Sequence, residues 1–332
     1  MADTTGISVI ICTYNGASQL PQTLRHLALQ QVPTEISWEI IVVDNASTDN
    51  STEVARAEWQ QYHLPGVGFT ILNESRPRKY YALATGVKNA KYEYIIICDD
   101  DNRLSDNYID QAYKTIKANP QFGAIGGQGI AIADQEIPAW FEQYQHIYAV
   151  GKPDATSGDV SAKGYLWGAG MVFRKSLYQK ANREIPSLLL GPNQNESARA
   201  EDVELCMRFL LAGYRLYYDD GLVFNHHISS DRLTEIYRDK LLGVSPHENR
   251  VLNLYRKQIS FNNLSASKKT ALLITSWFRY VICKRFPGIK KWHYAYEAEI
   301  IYLLNGFKAS TISDEAIQLR QLNLSLSKNT IA

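Results

Sequence analysis

Three consecutive carboxylates, Asp99, Asp100 and Asp101, follow a short apolar run at residues 94–98. Adjacent carboxylates repel each other, and a place at the end of a buried strand is costly unless a cation neutralises their charge. Mg²⁺ and Mn²⁺ take oxygen ligands and commonly keep one or two protein carboxylates beside phosphate oxygens and water. The triplet therefore predicts a divalent-metal site that also holds a diphosphate, with a solvated acidic turn as the alternative.

A second acidic pair, Glu201 and Asp202, begins the segment 200–212, which has the pattern of a helix. The helix dipole favours carboxylates in a first turn, and this is a sufficient structural explanation. A carboxylate there can also act as the general base that a sugar hydroxyl needs before it attacks an anomeric carbon. On these residues alone, the helix-dipole explanation is favoured.

Two further groups could contact a metal or a diphosphate. His226 and His227 are adjacent, and imidazole can complete a metal site, although isolated histidines are more often structural. Arg76, Arg78 and Lys79 form a basic cluster that either binds a diphosphate or is a solvated loop.

Four strand-length apolar runs precede most of these side chains. They are nearly continuous in hydrophobicity and rich in β-branched residues, as in strands buried on both faces of a parallel sheet. The runs are residues 7–12, 39–43, 68–72 and 94–98. Helical patterns follow them near residues 20–28, after 49, over 81–90 and after 105. The alternation predicts an open, mostly parallel α/β sheet.

The carboxyl ends of such strands are where ligands bind. Thr13, Tyr14 and Asn15 follow the first run and Asp44 follows the second, so we expect them near the acidic triplet. No G-x-G-x-x-G motif follows the first run, and no P-loop motif occurs in the sequence. Dinucleotide and P-loop sites therefore lose their main support.

The chain changes character after about residue 240, with Gly243 to Pro246 as the expected boundary. Residues 249–296 contain no Asp or Glu but ten Lys or Arg, interleaved with Trp and Phe. Such a segment is attracted to anionic lipid, so we expect contact with an anionic membrane surface through 249–296. A helical appendage with a charged outer face is the alternative. Arg279 interrupts the most apolar stretch, and no membrane-spanning helix is expected.

The composition is that of an ordinary globular protein. The 332 residues are 45% hydrophobic, and 35 basic against 34 acidic residues leave a net charge of +1, which gives no global field for nucleic acid. The four cysteines lack any C-x-x-C spacing, so neither a disulfide framework nor a cysteine zinc site is supported. With no secretory profile at the N-terminus, we expect a cytoplasmic protein, peripheral at the inner face of the plasma membrane.

Four segments in order resemble the family-2 glycosyltransferases of GT-A fold: residues 9–16, 41–49, 99–102 and 201–205. The resemblance extends over residues 7–230. It implies a GT-A (Rossmann-like), mostly parallel sheet flanked by helices. The expected domains are a nucleotide-sugar glycosyltransferase domain over residues 1–240 and a basic, aromatic helical region over 241–332.

The resemblance also implies residue roles. Asp202 matches the catalytic base, and Asp101, Asp99 and His226 would lie at a Mg²⁺ or Mn²⁺ ion, with His227 as an alternative to His226. The residues it assigns to the nucleotide sugar are Thr13, Tyr14, Asn15, Asp44, Lys79, Asp99, Asp100, Trp167, Gly168 and Glu201.

The implied activity is an inverting single displacement from a nucleotide-diphosphate sugar, expected to be UDP-linked, to a glycan or lipid-linked glycan in surface polysaccharide synthesis. The Gln-x-x-Arg-Trp motif of processive synthases is missing, so we expect one sugar per encounter. Leu83 and Ala84 depart from the family pattern of Arg and Asn. Two alternatives are a sugar-phosphate nucleotidyltransferase and a non-catalytic lectin-like or scaffold protein on the same fold.

Overall fold

The computed structural model describes residues 5–190, 200–243, 245–285, 291–308 and 312–328. The strands are β1 (Ile7–Thr13), β2 (Trp38–Asp44), β3 (Gly68–Asn73), β4 (Tyr94–Asp99), β5 (Asn102–Leu104), β6 (Phe122–Ile132), β7 (Gly158–Asp159), β8 (Val172–Arg174) and β9 (Arg215–His227). The α-helices are α1 (Leu20–Ala28), α2 (Ser51–Gln60), α3 (Lys79–Asn89), α4 (Tyr108–Ala118), α5 (Phe141–Tyr144), α6 (Lys175–Asn182), α7 (Glu201–Leu211), α8 (Glu235–Leu242), α9 (Pro246–Asn262), α10 (Ala266–Arg285), α11 (Lys291–Asn305) and α12 (Asp314–Lys328).

All of these strands join one sheet, in the order β3-β2-β1-β4-β8-β6-β9-β5, and β7 pairs with β9. The strands β3, β2, β1 and β4 run parallel to one another, and β6 runs parallel to β9. The pairings of β8 with β4 and β6, and of β9 with β5 and β7, are antiparallel. The expected α/β sheet with flanking helices and a helical C-terminal region is confirmed.

Helices cover both faces of the central parallel strands β1, β2 and β4. On one face, Val9 and Ile11 of β1 belong to the same buried core as Leu20 of α1. On the other face α3 lies so close that a side chain at Gly86 would meet Ile10 Cγ2 at 2.6 Å. Because both faces are covered, β1, β2 and β4 need continuous apolar sequence rather than alternation. The strand β3 was expected to be buried in the same way, but it lies at the edge of the sheet and none of its residues is fully buried.

The chain forms two compact units, Met1–Gln179 with Tyr214–Val244 and Lys180–Gly213 with Ser245–Ala332. The first unit contains the whole sheet, and the second contains α7 together with α9 to α12. The sequence predicted a single boundary, with domains over 1–240 and 241–332 and a transition at Gly243 to Pro246. In the structure the second unit resumes at Ser245 and also takes in the segment that carries α7.

A buried polar network ties α7 into the second unit. Arg208 of α7 is 1% exposed and donates hydrogen bonds to Glu204 Oε1 at 3.0 Å and to three backbone carbonyls between residues 181 and 186. Tyr255 of α9 donates to the same Glu204 oxygen at 2.7 Å. Buried charges are costly when unpaired, so this network explains why α7 belongs with the C-terminal helices.

The helices α10 and α11 share a small core around Tyr280, Ala298 and Ile301. The rings of Tyr280 and Tyr294 stack with centroids 4.8 Å apart, and their hydroxyls lie 3.0 Å from each other. Among the described helices, none combines the length and the apolar character that crossing a membrane requires.

Candidate active site

The ends of three adjacent strands bring polar residues to one edge of the sheet. Thr13 of β1 lies opposite Asp44 of β2 in the register, and Cys12 lies opposite Asp99 of β4. The acidic triplet therefore begins beside the end of β1, one strand away from Asp44. This is the carboxyl edge, where ligands of open α/β sheets bind.

Asp100 ties the acidic triplet to the turn after β1. Its Oδ2 accepts a hydrogen bond from Thr13 Oγ1 at 2.6 Å, and its backbone carbonyl accepts one from Thr23 Oγ1 at 2.6 Å. A side chain at Gly16 would meet both Thr13 Oγ1 and Asp100 Oδ2 at less than 2.5 Å, so only glycine leaves room for this contact. Burial, reinforced by the charge of Asp101, raises the pKa of Asp100 to about 7.

Asp99 forms an ion pair with Lys79, which is the first residue of α3. The preceding residue, Arg78, has a φ of 119°, a backbone conformation that residues other than glycine rarely adopt. Its backbone N–H donates to Asn45 Oδ1 at 2.9 Å. This backbone turn directs Lys79 toward the carboxyl edge of the sheet.

Asn45 fixes the turn before α3 from the neighbouring strand end. Its amide nitrogen donates to the carbonyls of Glu74 at 3.1 Å and Arg76 at 2.7 Å, in addition to the bond from Arg78. The side chain is buried, so these bonds replace water that the amide would otherwise need. Asn45 therefore positions Lys79 indirectly, through the backbone of the turn before α3.

Asp101 faces two nitrogen-bearing side chains from the end of β9 and the turn beyond it. Its Oδ2 lies 2.7 Å from Arg232 Nη1 and 3.3 Å from His226 Nε2, and its carbonyl accepts a hydrogen bond from the His227 N–H at 2.9 Å. Burial raises the pKa of Asp101, but His226 and Arg232 outweigh burial and hold that pKa well below its ordinary value.

The tautomer of His226 is set by the Tyr148 carbonyl, which lies 2.7 Å from Nδ1. A carbonyl oxygen can only accept, so Nδ1 carries a proton, and Nε2 is the ring nitrogen that faces Asp101. An orienting bond of this kind is typical of metal-binding histidines. His227 instead pairs with Asp134, at 3.0 Å from Nε2.

Asp101 and His226 are the residues here that suit a divalent ion. Within the described residues, no group of three His, Cys, Asp or Glu side chains comes together, so Asp99 is not gathered with Asp101 and His226 into a three-ligand set. Oδ1 of Asp101 is buried without a hydrogen-bond partner in the described structure, and His226 Nε2 lies 3.3 Å from the other oxygen of the same carboxylate. A cation would take Oδ1 as a ligand, and it would also take Nε2 when that nitrogen carries no proton. Because Mg²⁺ and Mn²⁺ need few protein ligands beside a diphosphate, the pair suits such an ion.

The turns after β1 and β2 are joined to each other. Asn15 has a φ of 55°, its N–H donates to Ser47 Oγ at 2.9 Å, and its Oδ1 accepts from the Thr48 N–H at 2.8 Å. Asp44 accepts from the Ser47 N–H at 3.1 Å. Tyr14 is 62% exposed, so its ring is open to solvent beside these turns.

The Trp167–Gly168 segment leads into β8 beside β4. The Ile97 N–H donates to the Met171 carbonyl at 2.8 Å, and the Gly170 N–H donates to the Ile97 carbonyl at 2.9 Å. These bonds extend the pairing of β8 with β4 toward Asp99. Trp167 is half-buried and Gly168 is buried.

Glu201 and Asp202 form the start of α7, which confirms the predicted helix. Asp202 Oδ1 accepts a hydrogen bond from the Val203 N–H at 2.9 Å, and both acidic side chains are half-buried. They belong to the second unit, whereas all the residues of the carboxyl edge belong to the first. Their roles stay predictions.

The family model of glycosyl transferase family 2 matches residues 8–181, more than half of the chain. The chain belongs to glycosyl transferase family 2. The match spans β1 to β4 and the acidic triplet, so the resemblance that the four sequence segments indicated is confirmed at the level of the family.

Curated relatives of this family 2 chain include two kinds of bacterial protein. The chain is 26% identical over 171 residues to a poly-β-1,6-N-acetyl-D-glucosamine synthase of Staphylococcus epidermidis, covering 52% of this chain and 40% of the synthase. It is 32% identical over 120 residues to the glycosyltransferase GlyG of Streptococcus pneumoniae, covering 36% of this chain and 38% of GlyG. The chain thus spans less than half the length of these relatives.

Solved structures show the same fold at low identity. GalNAc-T7 with UDP, GalNAc and Mn²⁺ has a TM-score of 0.56 at 14% identity, covering 78% of this chain and 50% of that one. S. aureus TarS 1-349 in complex with UDP-GlcNAc has a TM-score of 0.50 at 14% identity, covering 98% and 92% of the two chains. The expected GT-A fold is confirmed by these neighbours.

The roles of several residues at the carboxyl edge could not be predicted from the sequence of this family 2 chain. Arg232 contacts Asp101 from 131 positions away, and Tyr148 contributes only a backbone carbonyl to His226. Asn45 and Thr23 act through hydrogen bonds to backbone atoms, which any asparagine or threonine could make.

Proposed function

We propose that this protein is an inverting, non-processive glycosyltransferase. It would move a sugar from a nucleotide-diphosphate donor, UDP-linked in our proposal, to a glycan or lipid-linked glycan acceptor in surface polysaccharide synthesis. The observation that carries the proposal is the acidic triplet at the end of β4, with Asp99 beside Lys79 and Asp101 beside His226 and Arg232. Membership of glycosyl transferase family 2 supports it.

The nucleotide would lie across the ends of β1 and β2. Asp44 Oδ1 accepts from a backbone N–H, while among the described residues Oδ2 has only a 3.5 Å contact with Thr52, longer than an ordinary hydrogen bond. Oδ2 can therefore accept from the N3–H of uracil. The exposed ring of Tyr14 is available to stack on the base, and Thr13 and Asn15 shape the turn beneath it.

The donor diphosphate would lie beside the acidic triplet. Asp101 and His226 would hold Mg²⁺ or Mn²⁺, which supplies positive charge where the leaving diphosphate becomes more negative. Lys79 adds a second cation at the N-terminus of α3. Asp99, which holds Lys79 in place, is also the carboxylate that we assign to the ribose. Such preorganised charge is usually the largest contribution to catalysis of group transfer.

Asp202 would act as the general base. Its carboxylate takes the proton of the acceptor hydroxyl while that oxygen forms a bond to C1 of the sugar. The bond from C1 to the diphosphate oxygen breaks on the opposite face, so the anomeric configuration inverts. The position of Asp202 in the first turn of α7, a helix anchored by the buried Arg208 network, supports this role.

The remaining assignments follow from the same scheme. Trp167, Gly168 and Glu201 would border the sugar and acceptor, and we propose one sugar per encounter because the Gln-x-x-Arg-Trp motif is missing. The proposed location is the cytoplasmic face of the plasma membrane, where lipid-linked acceptors are available.

The first test measures thermal unfolding of the full chain with UDP, GDP, CDP or dTDP, each with and without Mn²⁺. A ligand that binds only the folded state raises the unfolding temperature, so we expect a Mn²⁺-dependent increase with UDP. Asp101→Asn should remove that increase. Asp110→Asn is the matched control, because Asp110 pairs with Lys114 on the surface of α4 and should leave the increase unchanged.

The second test measures UDP release from UDP-N-acetylglucosamine in the presence of poly-N-acetylglucosamine oligosaccharides. Asp202→Asn should reduce turnover by about 10²-fold or more while UDP binding persists.

Two results would contradict these assignments. If none of the four diphosphates stabilises the protein in the first test, the result contradicts the transferase and favours a scaffold. Turnover that is unaffected by Asp202→Asn would refute the assignment of the base.

A further inference from the structure

The helix α10 carries an apolar stripe that faces solvent. Ile274 is 63% exposed, Phe278 is 68% exposed and Val281 is 53% exposed. With side chains advancing by about 100° per residue, positions 274, 278 and 281 fall on one line of the helix surface. Ala271 is also exposed and continues that line by one turn. The stripe therefore extends about 15 Å along the helix.

The stripe is exposed although α10 has a packed face of its own. The opposite side of α10 is packed: Ser276 and Tyr280 are buried, and Tyr280 stacks on Tyr294 of α11. Trp277 at the border of the stripe packs on Phe307 with ring centroids 4.7 Å apart. The helix thus has one face committed to the second unit and one apolar face directed outward.

Positive charge borders the apolar stripe on both sides and at one end. Lys268 and Lys284 lie on opposite flanks of the stripe, Arg285 follows it at the end of the helix, and all three are exposed. No Asp or Glu occurs anywhere in residues 249–296. Glu297 of α11 pairs with Arg279 at 3.7 Å and is buried, so it adds no outward negative charge.

We propose that this face of α10 docks on an anionic phospholipid membrane, with the apolar stripe entering the acyl boundary and the flanking cations contacting headgroup phosphates. A helix that lies in the membrane interface needs this combination of apolar centre and basic borders. Lys and Arg stems are long enough to cover apolar surface while their charges stay in the headgroup layer. The docking would bring the enzyme to lipid-linked acceptors.

The charge distribution disfavours a second copy of this chain as the partner. Two copies that paired through the stripe would bring Lys268, Lys284 and Arg285 of one helix near the same cations of the other. With no acidic residue on α10, the paired helices could not neutralise them. An anionic lipid surface meets both requirements at once, because it accepts the apolar side chains and neutralises the cations.

The test is co-sedimentation of the full-length protein with vesicles of phosphatidylcholine alone or of phosphatidylcholine mixed equally with phosphatidylglycerol. We expect binding to the mixed vesicles only, and weaker binding as salt is raised. The double variant Ile274→Ser/Phe278→Ser should lower the partition coefficient about tenfold or more. The double variant Lys268→Glu/Lys284→Glu should lower it to a similar degree.

The matched control is Ile236→Ser on α8, since Ile236 is 84% exposed but lies outside the stripe. It should bind vesicles like the unmodified protein. Thermal unfolding confirms that each variant is folded, which the exposure of the changed side chains leads us to expect. Binding of Ile274→Ser/Phe278→Ser equal to that of the unmodified protein would overturn the proposal, and so would absence of binding to the mixed vesicles.

Light scattering without lipid identifies the competing partner. A dimer that becomes monomeric in Ile274→Ser/Phe278→Ser, together with no vesicle binding, would assign the stripe to self-association and also overturn the proposal. No nucleotide, metal or acceptor is present in these measurements. Failure of membrane docking is therefore distinguishable from failure of the transferase assignment.

Discussion

Asn45 lies next to Asp44, yet its side chain forms hydrogen bonds with backbone groups rather than with the proposed nucleotide. Its three hydrogen bonds hold the carbonyls of Glu74 and Arg76 and the N–H of Arg78. The turn they hold contains a residue at a φ of 119°, a strained conformation that persists only where its surroundings enforce it. Lys79 follows directly and reaches Asp99.

We predict that Asn45→Ala lowers the free energy of unfolding by about 2–3 kcal/mol, because three hydrogen bonds are lost and a buried turn is left unsatisfied. Urea unfolding measures this. Asn89→Ala is the control, since Asn89 donates a single exposed hydrogen bond to the Thr85 carbonyl and should cost less than about 1 kcal/mol. Equal losses in the two variants would contradict the positioning role of Asn45.

At the scale of elements, the link between β3 and α3 is braced by Glu74. Its carboxylate accepts hydrogen bonds from Arg76 Nε at 2.9 Å and from Thr85 Oγ1 at 2.6 Å. The hydrogen bonds from Arg76 and Thr85 lower the pKa of Glu74 to about 2. One buried carboxylate at the start of the link thus contacts Arg76 within the link and Thr85 in the second turn of α3.

This lowered pKa predicts a pH dependence of stability. The folded state holds the Glu74 proton more weakly than the unfolded state, so the stabilisation is complete above about pH 4.5 and is lost as the pH falls toward 2. Because Arg76 is largely exposed, we expect only about 1–2 kcal/mol. Urea unfolding at pH 7 and pH 3 should show a smaller difference for Glu74→Gln than for the unmodified protein, whereas the exposed Glu235→Gln should behave like the unmodified protein.

The helix α7 depends on Arg208 in a different way. Arg208→Ala leaves Glu204 buried without its cation, so we predict a loss of about 3–5 kcal/mol. Arg215→Ala removes an exposed pair with Asp159 and should cost less than about 1 kcal/mol. Denaturant unfolding measures both. If Arg208→Ala does not fold, the milder Arg208→Lys should still lie well below Arg215→Ala in stability, and equal stabilities would argue against the network.

At the scale of the whole molecule, the residues with proposed roles are distributed over the two units. The first holds the residues assigned to the nucleotide and the metal, and the second holds Asp202 and the basic, apolar face of α10. The net charge of +1 does not reveal this distribution, because the positive charge of the acid-free stretch 249–296 is balanced by acidic residues elsewhere in the chain.

We predict that UDP with Mn²⁺ slows amide hydrogen exchange mainly at the strand ends of the first unit, around residues 13–15, 44–48 and 99–101. Ligand binding stabilises the elements it contacts against local opening. Exchange in α9 and α10 should stay unchanged and serves as the internal control. Protection confined to the second unit would refute the proposed nucleotide site.

The sequence by itself determined the strands β1 to β4, the helices between them and the acidic triplet after β4, because hydrophobic period and turn chemistry are local properties of the chain. Only the tertiary structure decided that Arg232 faces Asp101, that Asn45 holds the turn before Lys79, and that α7 belongs with the C-terminal helices. Those contacts join residues far apart in sequence. Their geometry depends on how strands and helices pack, and no periodicity along the chain encodes which distant charge will meet which.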